Sequence, residues 1–253
     1  MSGHSKWKTI QHKKGAADAK RGKIFSKMAK ELMVVAKAGG GSPETNAALR
    51  ALIIRCKSVS MPNDNIDRAI KKGTGEIAGA QMEEITYEGF AEGGVGVVVK
   101  VLTDNKNRAA AEIRHLFTKQ GSSLAAQGAV SRGFKRRGQL FVDATGVDEE
   151  KLMDIVLNAG ADDMSRDGEQ FEVLTDPAAL LPVTEALEKA SIKAIDAEVR
   201  LVPETYVPVN DKIVAKAVMK FVDALEDNDD VQNVYTNMDV SDTVLAAMES
   251  DKE

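Results

Sequence analysis

The chain has 253 residues, of which 29% are charged and 43% hydrophobic, as in ordinary globular proteins. No apolar run approaches the roughly 18–20 residues that a membrane span needs, and the opening lacks the apolar stretch of a secretory signal. The single cysteine, Cys56, excludes internal disulfides and zinc sites built on several thiolates. We therefore expect a cytoplasmic protein without a membrane partner.

Charge is divided unevenly along the chain. Residues 1–75 contain 16 Lys and Arg against 5 Asp and Glu, a net charge of +11, whereas residues 76–253 contain 18 against 34, a net charge of −16. Salt screens exposed charges over roughly 8 Å, so a partner that touches the first region feels mainly its positive field. This asymmetry is typical of proteins whose basic end contacts a nucleic acid or another anionic surface. A solvated helical domain without a polyanion partner is the alternative.

The first thirty residues carry the densest positive charge. Nine lysines and arginines lie from Lys6 to Lys30, against the single acid Asp18. If six of these cations contacted phosphates, the affinity for duplex DNA would fall with a log–log salt slope of about −5. Trp7 and His12 lie among the lysines, where a base or sugar could stack on them. Alternatively, Trp7 is a hydrophobic anchor that holds this basic arm on the helical domain.

Apolar residues at helical spacing predict a first helix from about residue 18 to residue 38. Its positive residues form a separate stripe, roughly 130° round the helix from the apolar face. We call this the lysine stripe; it consists of Lys20, Lys23, Lys27 and Lys30. Three glycines at 39–41 are expected to end the helix. Ser42 and Pro43 predict the N-cap and first turn of a second helix that runs to about Ser58, and Gly73 is expected to end a short third helix, 66–72.

After a linker at 75–82, short apolar strands alternate with longer amphipathic helices. Strands are predicted at 95–99, 129–130, 140–142, 171–174, 194–201 and 231–235, and helices at 107–119, 148–158, 177–190 and 211–225. We expect the acidic tail 241–253 to be frayed. This order predicts an α+β fold, an all-helical N-terminal domain followed by two small α/β domains of the ferredoxin-like sandwich type. The predicted bounds are 1–80 for the helical domain, 81–134 with 203–240 for a discontinuous domain, and 135–202 for a domain inserted in it.

A second basic region runs from Lys106 to Gly138, with eight Lys and Arg against Glu112 alone. Glycines at 121, 128, 133 and 138 are expected to expose backbone N–H groups, which bind phosphate oxygens well. The alternative is an ordinary loop of solvated charges.

Signals for an enzyme are weak. The glycines at 93, 94 and 96 precede their strand, whereas a dinucleotide fingerprint follows a strand and opens a helix. A phosphate-binding P-loop motif is missing, and two of the three histidines lie in the basic opening. We therefore predict no catalytic residue, cofactor or metal.

Several uncommon strings, in order along nearly the whole chain, resemble the YebC/PmpR family. They are Gly3-His4-Ser5-Lys6-Trp7, His12-Lys13-Lys14, Lys20-Arg21-Gly22-Lys23, Met61-Pro62, Asp64-Asn65-Ile66, the stretch Arg68 to Glu76, Tyr87-Glu88-Gly89, Leu102-Thr103-Asp104-Asn105 and Asn107-Arg108. The chain departs from the family pattern at 121–138. The resemblance implies the same three-domain fold and a non-enzymatic, cytoplasmic regulator of gene expression. Members are described as DNA-binding transcriptional regulators, while relatives, including a mitochondrial activator of cytochrome oxidase synthesis, act in translation at the ribosome.

We predict a nucleic-acid-binding regulator, in first place a DNA-binding regulator of transcription. The alternative is a translation factor that binds the ribosome or ribosomal RNA with the same surface; a remote alternative is an enzyme or small-ligand protein that uses the turn at 93–96. The acidic α/β domains would contact protein partners. The predicted nucleic-acid contacts are Lys6, Trp7, Lys8, His12, Lys13, Lys14, Lys20, Arg21, Lys23, Lys27, Lys71, Lys72, Arg108, Lys135, Arg136 and Arg137.

Overall fold

The structure, a computed structural model, describes residues 18–249. Three helices come first, α1 (Asp18–Gly39), α2 (Ala47–Ser58) and α3 (Asn63–Thr74). Buried apolar side chains from all three helices form one core, with Leu32 and Leu49 at its centre. Cys56 is buried in the same core, where it packs as a small hydrophobic residue.

The α2 helix begins after Asn46, so the predicted N-cap at Ser42 is wrong. The Asn46 Oδ1 accepts a hydrogen bond from the Leu49 N–H at 3.1 Å, and its Nδ2 donates to the carbonyls of Val35 and Gly40. One buried amide therefore caps α2 and satisfies carbonyls at the end of α1, which a serine hydroxyl at position 42 does not do. Gly39 allows this close approach, because a Cβ there would lie 2.6 Å from the Asn46 Nδ2.

Gly73 lies inside α3, so the prediction that it ends this helix is wrong. A Cβ at this position would lie 2.4 Å from the Met33 carbonyl oxygen of α1, so the glycine permits the two helices to pack closely. The helix ends one residue later, where Gly75 adopts a left-handed conformation with φ +81°.

The remaining elements follow residue 82. In chain order they are β1 (Glu83–Phe90), β2 (Gly96–Thr103), α4 (Lys106–Lys119), β3 (Ser123–Leu124), β4 (Phe134–Asp143), α5 (Glu149–Asn158), β5 (Ala161–Asp167), β6 (Gln170–Thr175), α6 (Leu180–Lys189), β7 (Ala194–Pro203), β8 (Val207–Val209), α7 (Lys212–Glu226), β9 (Val231–Thr236), β10 (Met238–Val240) and α8 (Asp242–Glu249).

Two four-stranded sheets form the body of the protein. The first sheet has the order β3-β1-β2-β9, and α4 and α7 pack together over it through Phe117 and Phe221, whose ring centroids lie 4.8 Å apart. The second sheet has the order β5-β6-β4-β7 with antiparallel neighbours, and α5 and α6 contribute to its core. Its β-α-β-β-α-β sequence and strand order are those of a ferredoxin-like sandwich. The predicted fold class is confirmed, while the domain boundaries stay a prediction.

A small apolar cluster joins the two sheets. Val98 and Tyr235 of the first sheet pack with Phe134 of β4 and with Val130. The short strand predicted at 129–130 is wrong: the pairing strand is β3, and a 3₁₀ turn occupies residues 131–133. Val130 is buried in this cluster, so its apolar character reflects packing between the sheets.

The predicted fraying of the tail is wrong for residues 242–249, which form α8. Val244 and Leu245 of this helix are buried in the first sheet's core. Residues 250–253 lie outside the described part of the chain. Within residues 18–249, no helix combines the length and apolar character needed to cross a bilayer.

Candidate nucleic-acid interface

Much of the predicted basic arm lies outside the described residues. This applies to Lys6, Trp7, Lys8, His12, Lys13 and Lys14. Lys20 and Arg21 lie at the start of α1; the Lys20 side chain is also outside the described part, and Arg21 is exposed.

The lysine stripe meets an acidic segment at the end of α7. We call residues 226–230, Glu-Asp-Asn-Asp-Asp, the acidic turn. Lys23 Nζ lies 2.5 Å from the Asp227 Oδ1 and donates to the Asp227 carbonyl at 3.0 Å. Lys27 Nζ donates to the Glu226 carbonyl at 2.6 Å, and Lys30 Nζ donates to the Asp229 carbonyl at 2.8 Å. Two predicted nucleic-acid contacts, Lys23 and Lys27, and the neighbouring Lys30 therefore contact carboxylate and carbonyl oxygens of the same chain.

The deepest part of this contact is centred on Asp230, which is 4% exposed. Its Oδ1 accepts a hydrogen bond from Lys30 Nζ at 2.6 Å, and its Oδ2 accepts from Arg108 Nη2 at 2.8 Å and from the Thr103 hydroxyl at 2.9 Å. Burial by itself raises the pKa of Asp230, but these donors hold its pKa below the ordinary value. Arg108, another predicted contact residue, also donates to Asp104 at 2.8 Å and is thus engaged within the fold.

Solvent exposure changes along the contact. The Lys30 and Asp230 side chains are 17% and 6% exposed, whereas those of Lys23 and Asp227 are 39% and 73% exposed. Lys27 lies between them, and burial lowers its pKa against the opposing effect of Glu226. The contact is therefore anchored at Lys30 and open to water and ions at Lys23.

A second ionic contact links the helices to β7. Arg55 of α2 forms an ion pair with Glu198 and lies 3.6 Å from Glu31 of α1. Burial is the main cause that raises the pKa of Glu31, and the neighbouring Glu198 raises it further, whereas Arg55 lowers it.

The α3 helix presents exposed cations next to an apolar groove. We define the α3 basic edge as Arg68, Lys71 and Lys72, whose side chains are exposed. A groove of about 190 Å³ lies between α1 and α3, and Arg68 and Lys72 line it. Its apolar lining includes Phe25, Ala29 and Met33. Cations beside an apolar surface can hold a phosphate while a sugar or base lies on the apolar part.

The glycine-containing loop before β4 already holds an internal anion. Backbone N–H groups of Gly128, Val130 and Ser131 and the Ser131 hydroxyl all donate to the Glu88 carboxylate at 2.8 Å. Glu88 is 2% exposed; its burial acts to raise the pKa, yet these donors lower the pKa to about 2. The expectation that the Gly128 N–H is available to phosphate is wrong, because Glu88 accepts its hydrogen bond.

The basic run at the start of β4 is partly neutralised. Lys135 Nζ lies 2.5 Å from a Glu204 carboxylate oxygen, and Arg137 Nη1 lies 2.6 Å from one of Asp162. Arg136 is exposed between them. The acidic partners come from distant segments that the local sequence around residue 135 does not reveal.

The turn at 93–96 connects β1 to β2. Gly93 and Gly94 have φ +75°, and a Cβ on Gly93 would lie 2.9 Å from the Val214 Cγ1 of α7. These glycines therefore serve a tight hairpin packed against a helix. Within the described ranges, no three His, Cys, Asp or Glu side chains are grouped to hold a metal ion.

Comparisons with known proteins give a consistent match. The family described as "TACO1/YebC protein N-terminal domain" matches residues 5–76, and "TACO1/YebC second and third domain" matches residues 82–238. A probable transcriptional regulatory protein of Geobacter sulfurreducens is 54% identical, covering 95% of this chain and 97% of the relative. One of the same name from Treponema pallidum is 49% identical over 97% of this chain and all of the relative. The crystal structure of a conserved hypothetical protein from Aquifex aeolicus has a TM-score of 0.81 and 44% identity, covering 89% of this chain and 93% of that one.

Proposed function

We propose that this chain, which belongs to the TACO1/YebC family as its sequence predicted, is a cytoplasmic, non-enzymatic regulator of gene expression. It binds the phosphate backbone of a nucleic acid through its helical domain. A regulatory role is supported by the name that its bacterial relatives carry, probable transcriptional regulatory protein. Binding to nucleic acid is the finer step, and it rests on the distribution of charge.

One observation carries the proposal: a net charge of +11 in residues 1–75 of a chain whose total is −5. In the described part of that region, the α3 basic edge keeps three cations at the surface. Lys71 and Lys72 occupy the last turn of α3. Together with the arm around Lys13 and Lys14, they offer enough positive charge to replace condensed counterions on a phosphate backbone.

Duplex DNA is the first target that we propose. Phosphate contacts position a protein on DNA without reading its sequence, and base readout needs Arg, Asn or Gln side chains directed at base edges. The positive charge here is mainly lysine, so we expect weak sequence preference or recognition of DNA shape.

Structured RNA, including ribosomal RNA, is the second candidate. The specific observation in its favour is the groove between α1 and α3, whose apolar lining lies beside Arg68 and Lys72. Unstacked bases that could occupy such a groove occur in RNA loops and bulges rather than in intact duplex DNA.

The test is charge reversal on the α3 basic edge. The double variant Lys71→Glu and Lys72→Glu should bind a short duplex DNA and a ribosomal RNA fragment at least about tenfold more weakly than the wild type at low salt. The log–log salt slope for duplex DNA should become shallower by about 0.9 for each phosphate that the variant no longer neutralises. Lys189→Glu with Lys193→Glu makes the same change in net charge at exposed positions of the second sheet's domain and should leave affinity nearly unchanged.

Equal affinity of the two double variants would show that the α3 basic edge is not the binding surface. The two nucleic-acid targets are separated by crosslinking in cells. Recovery of ribosomal RNA without enrichment of promoter DNA, together with co-sedimentation with ribosomes at physiological salt, would replace the DNA assignment with the RNA one.

A further inference from the structure

The contact between the lysine stripe and the acidic turn resembles, in its chemistry, the contact that a phosphate backbone would make. Carboxylate and carbonyl oxygens from successive residues lie within 2.5–3.0 Å of three ammonium groups spaced along one face of α1. Phosphate oxygens also accept charge-assisted hydrogen bonds from lysine at similar distances. A carboxylate and a phosphate that approach the same ammonium group repel each other, so the acidic turn and a nucleic acid compete for these lysines.

The helices and the two sheets have separate apolar cores. The apolar core of α1–α3 draws all its members from residues 25–70, and the cores of the two sheets draw theirs from residue 87 onward. Across the described residues, no hydrophobic cluster combines α1–α3 with either sheet. Charged side chains link them: Lys23, Lys27 and Lys30 contact the acidic turn, and Arg55 pairs with Glu198.

An interface made of charge pairs behaves differently from one made of apolar packing. Exposed pairs contribute little stability and are weakened by salt, so an added polyanion can replace them. The gradient of exposure indicates the order of release: Lys23 and Asp227 at the open end separate first, and Lys30 with the buried Asp230 separates last.

We propose that the acidic turn is an internal mimic of the phosphate backbone, which occupies the lysine stripe in the free protein and must leave Lys23 and Lys27 for a nucleic acid to bind there. This proposal rests on the proposed function, since it assigns a regulator to the same binding surface. A nucleic acid then competes with the acidic turn for Lys23 and Lys27. Its binding weakens the contact between the helical domain and the first sheet's domain.

The first test removes one charge of the mimic. Asp227→Asn deletes the exposed carboxylate that pairs with Lys23, and it should raise the affinity of the full chain for a short duplex DNA by about three- to fivefold at low salt, the range of one exposed ion pair. Glu150→Gln removes one exposed carboxylate from α5 and is the matched control for net charge. Equal affinity of the two variants would overturn the proposal.

The second test detects the Lys23–Asp227 contact directly by chemical crosslinking. A water-soluble carbodiimide activates a carboxyl group so that a paired lysine Nζ forms an amide with it and the reagent leaves as its urea. In the free protein, mass spectrometry should find the Lys23–Asp227 link and, as an internal control of the same 2.5 Å separation, the Lys106–Glu83 link. Saturation with duplex DNA should suppress the first link severalfold and leave the second unchanged.

The outcomes separate the two proposals. If duplex DNA binds and the yield of the Lys23–Asp227 link does not fall, the acidic turn is not a mimic of the phosphate backbone, while the proposed function stands. If neither wild type nor Asp227→Asn binds duplex DNA or ribosomal RNA at low salt, the proposed function fails and the mimic fails with it.

Discussion

Glu88 shows how a single buried carboxylate can organise a loop. Its two oxygens accept four hydrogen bonds from residues 128–131, so a segment without a regular strand is fixed against β1. Charge-assisted hydrogen bonds to backbone N–H groups are stronger than neutral ones, and they replace the water that the buried carboxylate has given up. The adjacent 3₁₀ turn at 131–133 leads directly into β4.

The lowered pKa of Glu88 predicts a specific pH dependence of stability. In the unfolded chain this carboxyl titrates near 4.5, and in the folded protein its pKa is about 2. Folding thus favours the ionised form of Glu88, which adds about 3 kcal/mol to the free energy of unfolding. This stabilisation is present above pH 4.5 and is lost as the pH falls toward 2. Glu88→Gln should lower the free energy of unfolding by about this amount at pH 7.

Urea unfolding of the wild type and Glu88→Gln at pH 7, 5 and 3 measures this difference. The difference in the free energy of unfolding between the two proteins should be constant from pH 7 to pH 5 and smaller at pH 3. Glu150→Gln, an exposed carboxylate, should stay within about 0.5 kcal/mol of the wild type throughout. A gap for Glu88→Gln that does not change with pH would show that ionisation of Glu88 is not the source of its effect.

At the scale of the element, the junction between α1 and α2 depends on one side chain. Asn46 is 7% exposed and makes three hydrogen bonds that join the end of α1 to the start of α2. Asn46→Ala should lower the free energy of unfolding by about 2 kcal/mol, because it removes the cap of α2 and both hydrogen bonds that this buried amide donates to carbonyls at the end of α1.

The matched control is Asn63→Ala at the start of α3, where no side chain caps the helix and Asn63 is exposed. This variant should stay within about 0.5 kcal/mol of the wild type in the same chemical denaturation experiment. If both alanine variants were equally stable, the junction would not depend on the Asn46 hydrogen bonds.

Elements with strong local patterns were predictable, and those that depend on distant partners were not. The apolar spacing around Leu32 predicts α1 nearly to its observed end, and the consecutive valines after Gly96 predict β2. The strand β5, with the sequence ADDMSRD, lies at a sheet edge and lacks the apolar alternation of a strand. The three-residue strands β8 and β10 are too short to carry a pattern, and within residues 18–249 they pair only with each other.

In the candidate site, too, the local pattern was predictable and the distant partners were not. Sequence spacing places Lys23, Lys27 and Lys30 on one face of α1, but their partners lie about 200 residues later in the chain. Periodicity describes only neighbours within an element, so it cannot reveal the acidic turn as the occupant of that face. Four acids among residues 226–230, directly after a predicted amphipathic helix, are the signal that would have identified a candidate partner.

At the scale of the whole molecule, the opposite charges of residues 1–75 and 76–253 meet inside the fold. The basic helical domain contacts the acidic body through ion pairs, whereas the two sheets share the apolar cluster around Val98 and Phe134. The helical domain is therefore the part whose attachment should respond to salt and to polyanions.

The helical domain is proposed to bind the phosphate groups of a nucleic acid. Titration of the full chain with a short duplex DNA and with a ribosomal RNA fragment tests this binding most directly. We predict saturable binding at about 50 mM salt that weakens steeply toward about 200 mM, with a log–log slope near −5 for duplex DNA if six phosphates are contacted. Flat titrations with both nucleic acids at about 50 mM salt, where phosphate contacts are strongest, would contradict the claim.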